Sequence, residues 1–401
     1  MTIIAEHLSQ VNASAVSLIT AKTQQLEREG KTIIKLSAGE PDFGTPDHVK
    51  MAGVKAIADG KTQYPPVQGV FELRDAICRK LKRDNHITYT PDQIVVGCGC
   101  KQVIFNAMAA TLNPGDEVLV PTPYFISYPD MVSLNRGIPV FINTLQENQF
   151  KITPKDLEKA ITARTKWLLI NSPGNPSGAV YSDQEFKALA GILRKHPHVW
   201  ILCDDIYEYL IYDQAKFYTL AQIAPDLQDR ILVVNGMSKA YAMTGWRVGY
   251  GAGPTELIKT MFKIQSQSTS GTSIISQWAS VTALEGDHGF VADNVQNLKQ
   301  RRDVVVQMIN DVDGLSCESP EGAFYCYISC KAVIGKKTPK GAVIRSDLDF
   351  SNFLMDECGV AIVHGAAFGL SPYFRISFAT KMELLKSGCQ KIAEACRQLT
   401  D

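Results

Sequence analysis

Asn235-Gly-Met-Ser238-Lys239-Ala-Tyr-Ala-Met-Thr-Gly-Trp246-Arg247-Val-Gly-Tyr250 is the stretch around which the chain is organised. It follows Arg230-Ile-Leu-Val-Val-Asn235, a short β-branched run that reads as a buried strand. Lys239 therefore leaves a strand end in a glycine-punctuated loop, the place where ligands gather in parallel α/β sheets. Ser238 brings a hydroxyl, Lys239 an amine and Arg247 a planar guanidinium fork suited to phosphate.

These groups, sheltered by Trp246, are what a pyridoxal phosphate site requires: an amine to condense with the aldehyde and a grip on the phosphate. Alone, a Ser-Lys pair favours a solvated loop lysine with Arg247 as a surface cation, so the rest of the chain has to supply partners. Asp204 closes the apolar strand Val199–Cys203, where a carboxylate is costly unless paired with positive charge such as a protonated pyridine nitrogen. Tyr207, three residues on, brings a phenol toward the same ring. Gly99 and Cys100 stand between the strand Ile94–Gly97 and an apolar helix through Leu112, an arrangement that binds anions. Asn171-Ser-Pro173-Gly-Asn175-Pro176-Ser-Gly178 is a rigid turn in which Asn175 can donate a hydrogen bond. Arg375 lies in the apolar strand Tyr373-Phe-Arg-Ile-Ser-Phe378 and needs an anion, either a ligand or the carboxylate of a buried ion pair.

The totals exclude several other classes. In 401 residues Lys plus Arg and Asp plus Glu are 41 each, which offers nothing to nucleic acid or an anionic membrane. Hydrophobic content of 45% supports a globular interior and the length allows two to three domains. No apolar run approaches membrane-spanning length, and Met1-Thr-Ile-Ile-Ala-Glu lacks the basic start of a secretory signal. The ten cysteines are expected to be reduced, in a cytoplasmic protein. Cys98 with Cys100 and Cys326 with Cys330 lack a second ligand pair, so no metal is expected. Strands alternate with helices between residues 94 and 235, which predicts parallel βαβ units. Lys299 to Asp303 reads as a solvated helix face, and Lys336 to Lys340 as a mobile loop.

Ser238-Lys239, an aromatic two positions on and Gly-Trp-Arg247 resemble the cofactor-lysine signature of class I and II aminotransferases. Asn171 to Gly178, Asp204 to Tyr207, Gly39-Glu-Pro-Asp-Phe43 and Arg375-Ile-Ser-Phe378 match the family in the same order, with the bacterial aspartate aminotransferases as the nearest subgroup. The resemblance implies a fold-type I architecture: a large, doubly wound, mostly parallel α/β domain and a smaller α/β domain built from both termini. The corresponding boundaries are residues 1–47 for the arm and part of the small domain, 48–290 for the cofactor domain and 291–401 for the rest. It also implies a homodimer in which Tyr64 reaches the partner subunit's cofactor phosphate. Phe125 would stack on the pyridine ring, Asn175 and Tyr207 would bind its phenolate oxygen, and Gly99, Cys100, Lys101, Ser238 and Arg247 would surround the phosphate. Gly39 would lie beside the substrate and Arg375 would hold its α-carboxylate. Lys101 matches the subgroup's lysine for a distal carboxylate, although plain solvation of a helix start explains a lone lysine too.

The activity so implied is ping-pong amino transfer between L-aspartate and 2-oxoglutarate. Three positions depart from the pattern. Phe125 stands where aspartate-preferring members usually carry Trp. Asn12 and Val16 replace the basic residue and the threonine of a Pro-Ser-x-Thr context found in enzymes that also accept prephenate, which argues against prephenate and loosens the preference for aspartate. Another amino acid specificity, a carbon–sulfur lyase on the same fold, and a non-enzymatic cofactor-binding regulator stay open as alternatives.

Overall fold

The computed structural model describes residues 13–401 together with Ile3, Ala5, Leu8 and Val11; Asn12 lies outside the described residues. In chain order the strands are β1 (Ile34–Lys35), β2 (Ile94–Gly97), β3 (Glu117–Thr122), β4 (Ile138–Asn143), β5 (Thr165–Asn171) and β6 (Trp200–Asp204). They continue with β7 (Ile231–Gly236), β8 (Gly249–Ala252), β9 (Tyr325–Ser329), β10 (Val360–Ala361), β11 (Val363–His364) and β12 (Tyr373–Ser377).

Seven of these form one sheet in the order β2-β8-β7-β6-β5-β3-β4. Only β8 runs against its neighbours. Both faces are buried, which is why the strands read as continuous apolar runs. Leu168, Ile170, Ile201, Cys203, Ile231 and Val233 point to one core, under the helices Phe71–Asn85, Asp183–Lys195 and Ile274–Glu285. Their alternates Trp167, Leu169, Leu202, Leu232 and Val234 point to another, under the helices Cys100–Thr111 and Thr255–Ser268. This is the expected doubly wound α/β arrangement. The strand order reverses between β3 and β5, so the loops after these strands diverge and leave a crevice at their carboxyl ends.

β8 was not anticipated, because Gly249 and Gly251 give it little intrinsic strand preference. Its glycines are required by packing. A Cβ on Gly249 would lie 2.3 Å from the Cys100 backbone nitrogen, and one on Gly251 2.9 Å from Val103 Cγ1. The helix Cys100–Thr111 thus sits directly on the strand.

A third core gathers around the antiparallel sheet β11-β12-β9 and the pair β1-β10. β1 pairs in parallel with β10, Ile34 opposite Val360. The helix Gly289–Asn310 runs from one body of packing to the other: Val291 belongs with the large sheet, while Leu298, Val305 and Ile309 belong here. On this helix Arg302 is buried, contrary to the expected solvated face; it bonds Asp213 at 2.7 Å and lies 5.0 Å over the Tyr212 ring. The basic loop 336–340 is also tied down, since Lys337 exchanges backbone bonds of 2.7 and 3.0 Å with Thr400. Among the described residues no helix is long and apolar enough to cross a membrane, and no group of three or more His, Cys, Asp or Glu is placed to hold a metal.

Candidate active site

Carboxyl ends of β3, β5, β6 and β7 and the segment after β1 converge on a cavity of about 600 Å³. Gly39, Cys100, Lys101, Phe125, Asn175, Asp204, Tyr207, Ser238, Lys239, Arg247 and Arg375 all line it. Gly99 lies immediately behind. Tyr64 is 97% exposed and does not line the cavity of its own chain.

Lys239 leaves β7 through the buried Met237 and Ser238, and its Nζ donates to the Gly39 carbonyl at 2.6 Å. The Tyr207 and Phe324 rings lie 5.8 and 5.7 Å from the same nitrogen. Burial disfavours the ammonium and brings its pKa down to about 8, with the Arg375 charge acting in the same direction. Gly39 contributes its carbonyl here, not a steric need for glycine: a Cβ would meet only the Tyr325 hydroxyl at 3.6 Å.

Asp204, at the end of β6, is 5% exposed. Burial pushes its carboxyl up to about 6, against hydrogen bonds that favour the anion. Tyr128 donates to Oδ2 at 2.7 Å and the Ile206 N–H approaches Oδ1 at 3.4 Å. A buried carboxylate so placed gains from any cation in the cavity.

The helix Cys100–Thr111 begins at Gly99, whose φ of +84° favours glycine and whose side chain cannot cap the helix. A Cβ there would lie 2.5 Å from Arg247 Nη2. That guanidinium donates to the carbonyls of Thr244 (2.9 Å) and Cys98 (3.2 Å), which holds it across the helix start. Open helix N–H groups, a hydroxyl from Ser238 and a fixed arginine make an anion cradle. Burial pushes the Cys100 thiol up, so it stays neutral there.

Arg375 is 3% exposed. Alternation along β12 sends Phe374 and Ile376 into the third core and Arg375 the other way. Its Nη1 donates to Asn175 Oδ1 at 2.9 Å and its Nη2 to the Ser37 carbonyl at 2.8 Å. Among the described residues its Nε has no partner and no carboxylate pairs with it. The Tyr325 and Phe368 rings flank it at 4.4 and 5.0 Å. A structural ion pair is therefore not what this arginine makes. Because a guanidinium only donates, Asn175 must turn Oδ1 toward it, which leaves the Nδ2 donor for the cavity. The Asn175 backbone is fixed in turn by Asn171 Oδ1 at 2.8 Å.

Lys101, also lining the cavity, lies 5.3 Å over the Phe125 ring, and burial lowers its pKa. Val16, Ser17 and Thr20 of the helix Ala15–Arg28 line the same cavity.

Three features escaped the sequence. Tyr325, placed only at a strand start, bonds the Tyr207 hydroxyl at 2.9 Å and faces the cavity. Tyr128 was one aromatic among several, yet it is the side-chain donor to Asp204. Trp246, expected to shelter the site, donates to Thr45 Oγ1 at 3.0 Å and packs over Gly53, where a Cβ would approach its ring to 2.9 Å. A short strand-end motif carries no signal for any of these tertiary contacts.

An anion cradle, a buried amine, a buried carboxylate and an arginine with no carboxylate partner among the described residues thus share one crevice. The family model for class I and II aminotransferases matches residues 31–392. The probable aspartate/prephenate aminotransferase of Rhizobium leguminosarum bv. phaseoli is 52% identical over 396 residues, 99% of each chain. The aspartate/prephenate aminotransferase of Cereibacter sphaeroides is 50% identical over the full length of both. The crystal structure of the aspartate aminotransferase from Rhizobium meliloti superposes with a TM-score of 0.97, at 50% identity and full coverage of both chains. The chain belongs to the class I and II aminotransferases, a family that is generally pyridoxal-phosphate-dependent.

Proposed function

We propose that this chain binds pyridoxal 5'-phosphate in the crevice and transfers the amino group of L-aspartate to 2-oxoglutarate by a ping-pong mechanism. The observation that carries this reading is the placing of Lys239, Asp204 and an Arg375 that has no carboxylate partner among the described residues around one cavity. When bound, the cofactor supplies an aldehyde that condenses with amines and a protonated ring that accepts the electron pair left on the α-carbon.

The residues fit that group. Gly99, the first turn of the helix Cys100–Thr111, Ser238 and Arg247 would hold the phosphate. Asp204 would keep a ring nitrogen protonated, and Phe125 would cover the ring. Asn175 Nδ2 and the Tyr207 hydroxyl would donate to the ring oxygen. Arg375 orients the substrate through its α-carboxylate, with its fork already set by Asn175 and Ser37. Lys239 Nζ, whose pKa burial brings down to about 8 in the unliganded crevice, would serve as base and acid once the substrate amine has taken its place on the cofactor aldehyde, accepting the proton from the α-carbon and giving it up to the cofactor. Lys101, which lines the same cavity, binds a distal carboxylate, in keeping with a four- or five-carbon dicarboxylic amino acid.

The names of the similar proteins support aspartate, and two of them support prephenate as a second acceptor. Val16 lines the wall where that choice would be made. The exposure of Tyr64 supports a homodimer in which it serves the partner subunit. The boundaries at 47 and 290 and a cytoplasmic location belong to the same proposal.

In the test, protein loaded with pyridoxal phosphate is mixed with L-aspartate and no oxo acid. Loss of the visible absorbance band, and its return with 2-oxoglutarate, is the expected result. A band that ignores aspartate but responds to other amino acids overturns the substrate. No band at all after reconstitution overturns Lys239 as the cofactor residue. Prephenate in place of 2-oxoglutarate reads the second acceptor in the same cell.

A further inference from the structure

Behind the crevice, and not lining it, lies a polar network sealed in the core. Lys80, Asn85, Glu208 and Asn235 are between 1% and 6% exposed. Lys80 pairs with Glu208 Oε1 and donates to Asn85 Oδ1 at 2.6 Å. Asn85 Nδ2 donates to Glu208 Oε2 at 2.8 Å and Asn235 Nδ2 to Glu208 Oε1 at 2.8 Å. Asn235 Oδ1 accepts the Gly236 N–H at 2.7 Å, which fixes the amide's orientation without ambiguity. The Glu208 carboxylate thus collects three side-chain donors, as a buried anion must.

The partners sit at informative places in the chain. Glu208 follows Tyr207. Asn235 and Gly236 end β7, three residues before Lys239. Lys80 and Asn85 belong to the helix Phe71–Asn85, none of whose residues lines the cavity. One carboxylate therefore ties the turn carrying the amine to the turn carrying the phenol, and both to a helix that never reaches the cavity. Glycine at 236 leaves the Lys239 turn little stiffness of its own: its Cβ position is 2.8 Å from the Val248 carbonyl, so no larger residue fits.

We propose that Glu208, held by Lys80, is a positioning residue that acts through Asn235 to set the Lys239 turn in register with Tyr207. This rests on Lys239 being the cofactor lysine, and the experiment separates the two. Three proteins are compared: wild type, Asn235→Ala, which cuts the link to the turn, and Asn85→Ala, which removes an equivalent donor on the remote side. The first readout uses cofactor-free protein. Acylation of Lys239 by a small amine-reactive acyl donor such as acetic anhydride, with acetate as the leaving group, is followed against pH by peptide mass spectrometry. The second is kcat with aspartate, beside the melting temperature.

Asn235→Ala is expected to change the Lys239 acylation rate at least fivefold and to lower kcat by about tenfold to a hundredfold, the range that small misplacements of a reacting group produce, with KM changed less than threefold. Asn85→Ala, at a similar melting temperature, is expected to leave the acylation profile within twofold. If both variants move the profile equally, or neither moves it, the proposal is overturned and the network is only structural. Should Asn235→Ala fail to fold, Asn235→Ser, which keeps an acceptor beside the Gly236 N–H but loses the donor to Glu208, is read by the same criteria. A wild type that shows no cofactor band but a shifted acylation profile in Asn235→Ala overturns the cofactor assignment and leaves the positioning role standing.

Discussion

Arg375→Lys separates a ligand grip from a structural cation. The guanidinium has no carboxylate partner among the described residues and an unused Nε, so its fork is available to a substrate carboxylate. Lysine keeps the charge but offers a point contact in place of a two-pronged one. Losing one charge-assisted hydrogen bond, together with the geometry it enforced, costs about 2–3 kcal/mol. That corresponds to a fall in kcat/KM of roughly 30- to 150-fold. Unliganded stability should move by less, about 1–2 kcal/mol, because lysine keeps the charge and its ammonium can replace one of the two bonds that the guanidinium donates to Asn175 and Ser37. The assay is thermal unfolding with and without a non-reacting dicarboxylate such as maleate, beside steady-state kinetics. At a hundred times its Kd the ligand stabilises wild type by about 2.7 kcal/mol, and at the same concentration it should stabilise the variant by less than about 1 kcal/mol. If the variant instead loses more than about 3 kcal/mol unliganded while its response to maleate is intact, Arg375 is a structural residue and the argument fails.

Tyr128→Phe removes the side-chain donor that favours ionised Asp204. With Asp204 at about 6 in the folded state against 3.8 unfolded, cofactor-free protein loses stability as pH rises through that window; the variant should extend the loss above pH 6, read as melting temperature against pH. Lys101→Ala is expected to raise KM for aspartate about tenfold while leaving alanine within twofold. An unchanged ratio of the two substrates would remove Lys101 from the distal carboxylate. Gly249→Ala would drive a Cβ to within 2.3 Å of the Cys100 nitrogen, so it should cost about 1–3 kcal/mol in stability and weaken cofactor retention, measured by dialysis.

The parts of the site legible in the sequence were those in which a local rule and a chemical need coincide. Asp204 and Lys239 stand at the ends of apolar strands, where a charge has to be functional or paired. Asn175 sits in a turn too constrained to be incidental, and Arg375 interrupts an alternating strand. All four face one cavity. What stayed hidden depends on contacts between distant segments. The hydroxyls of Tyr325 and Tyr128 are assigned by partners 118 and 76 residues away. Arg302 reads as one more charge on a polar helix until Asp213 and Tyr212 enclose it. β8 escaped because its glycines answer to the helix above them, and Trp246 because indole packs as readily on Gly53 as on a ligand. The helices and parallel strands, whose patterning is local, followed their periodicities closely.

The bond between Arg375 and the Ser37 carbonyl joins residues 338 apart in sequence, and β1 beside it waits for β10. During synthesis at about 5–20 residues per second, the segment around Ser37 therefore leaves the ribosome roughly 20–70 s before its partners do. The large sheet, with Lys239 and Asp204 at its rim, is fully translated well before then. A nascent chain can thus complete the amine and carboxylate walls of the crevice while the arginine wall is still missing, and the grip on a substrate carboxylate that we propose for Arg375 is acquired last, when the two distant segments meet.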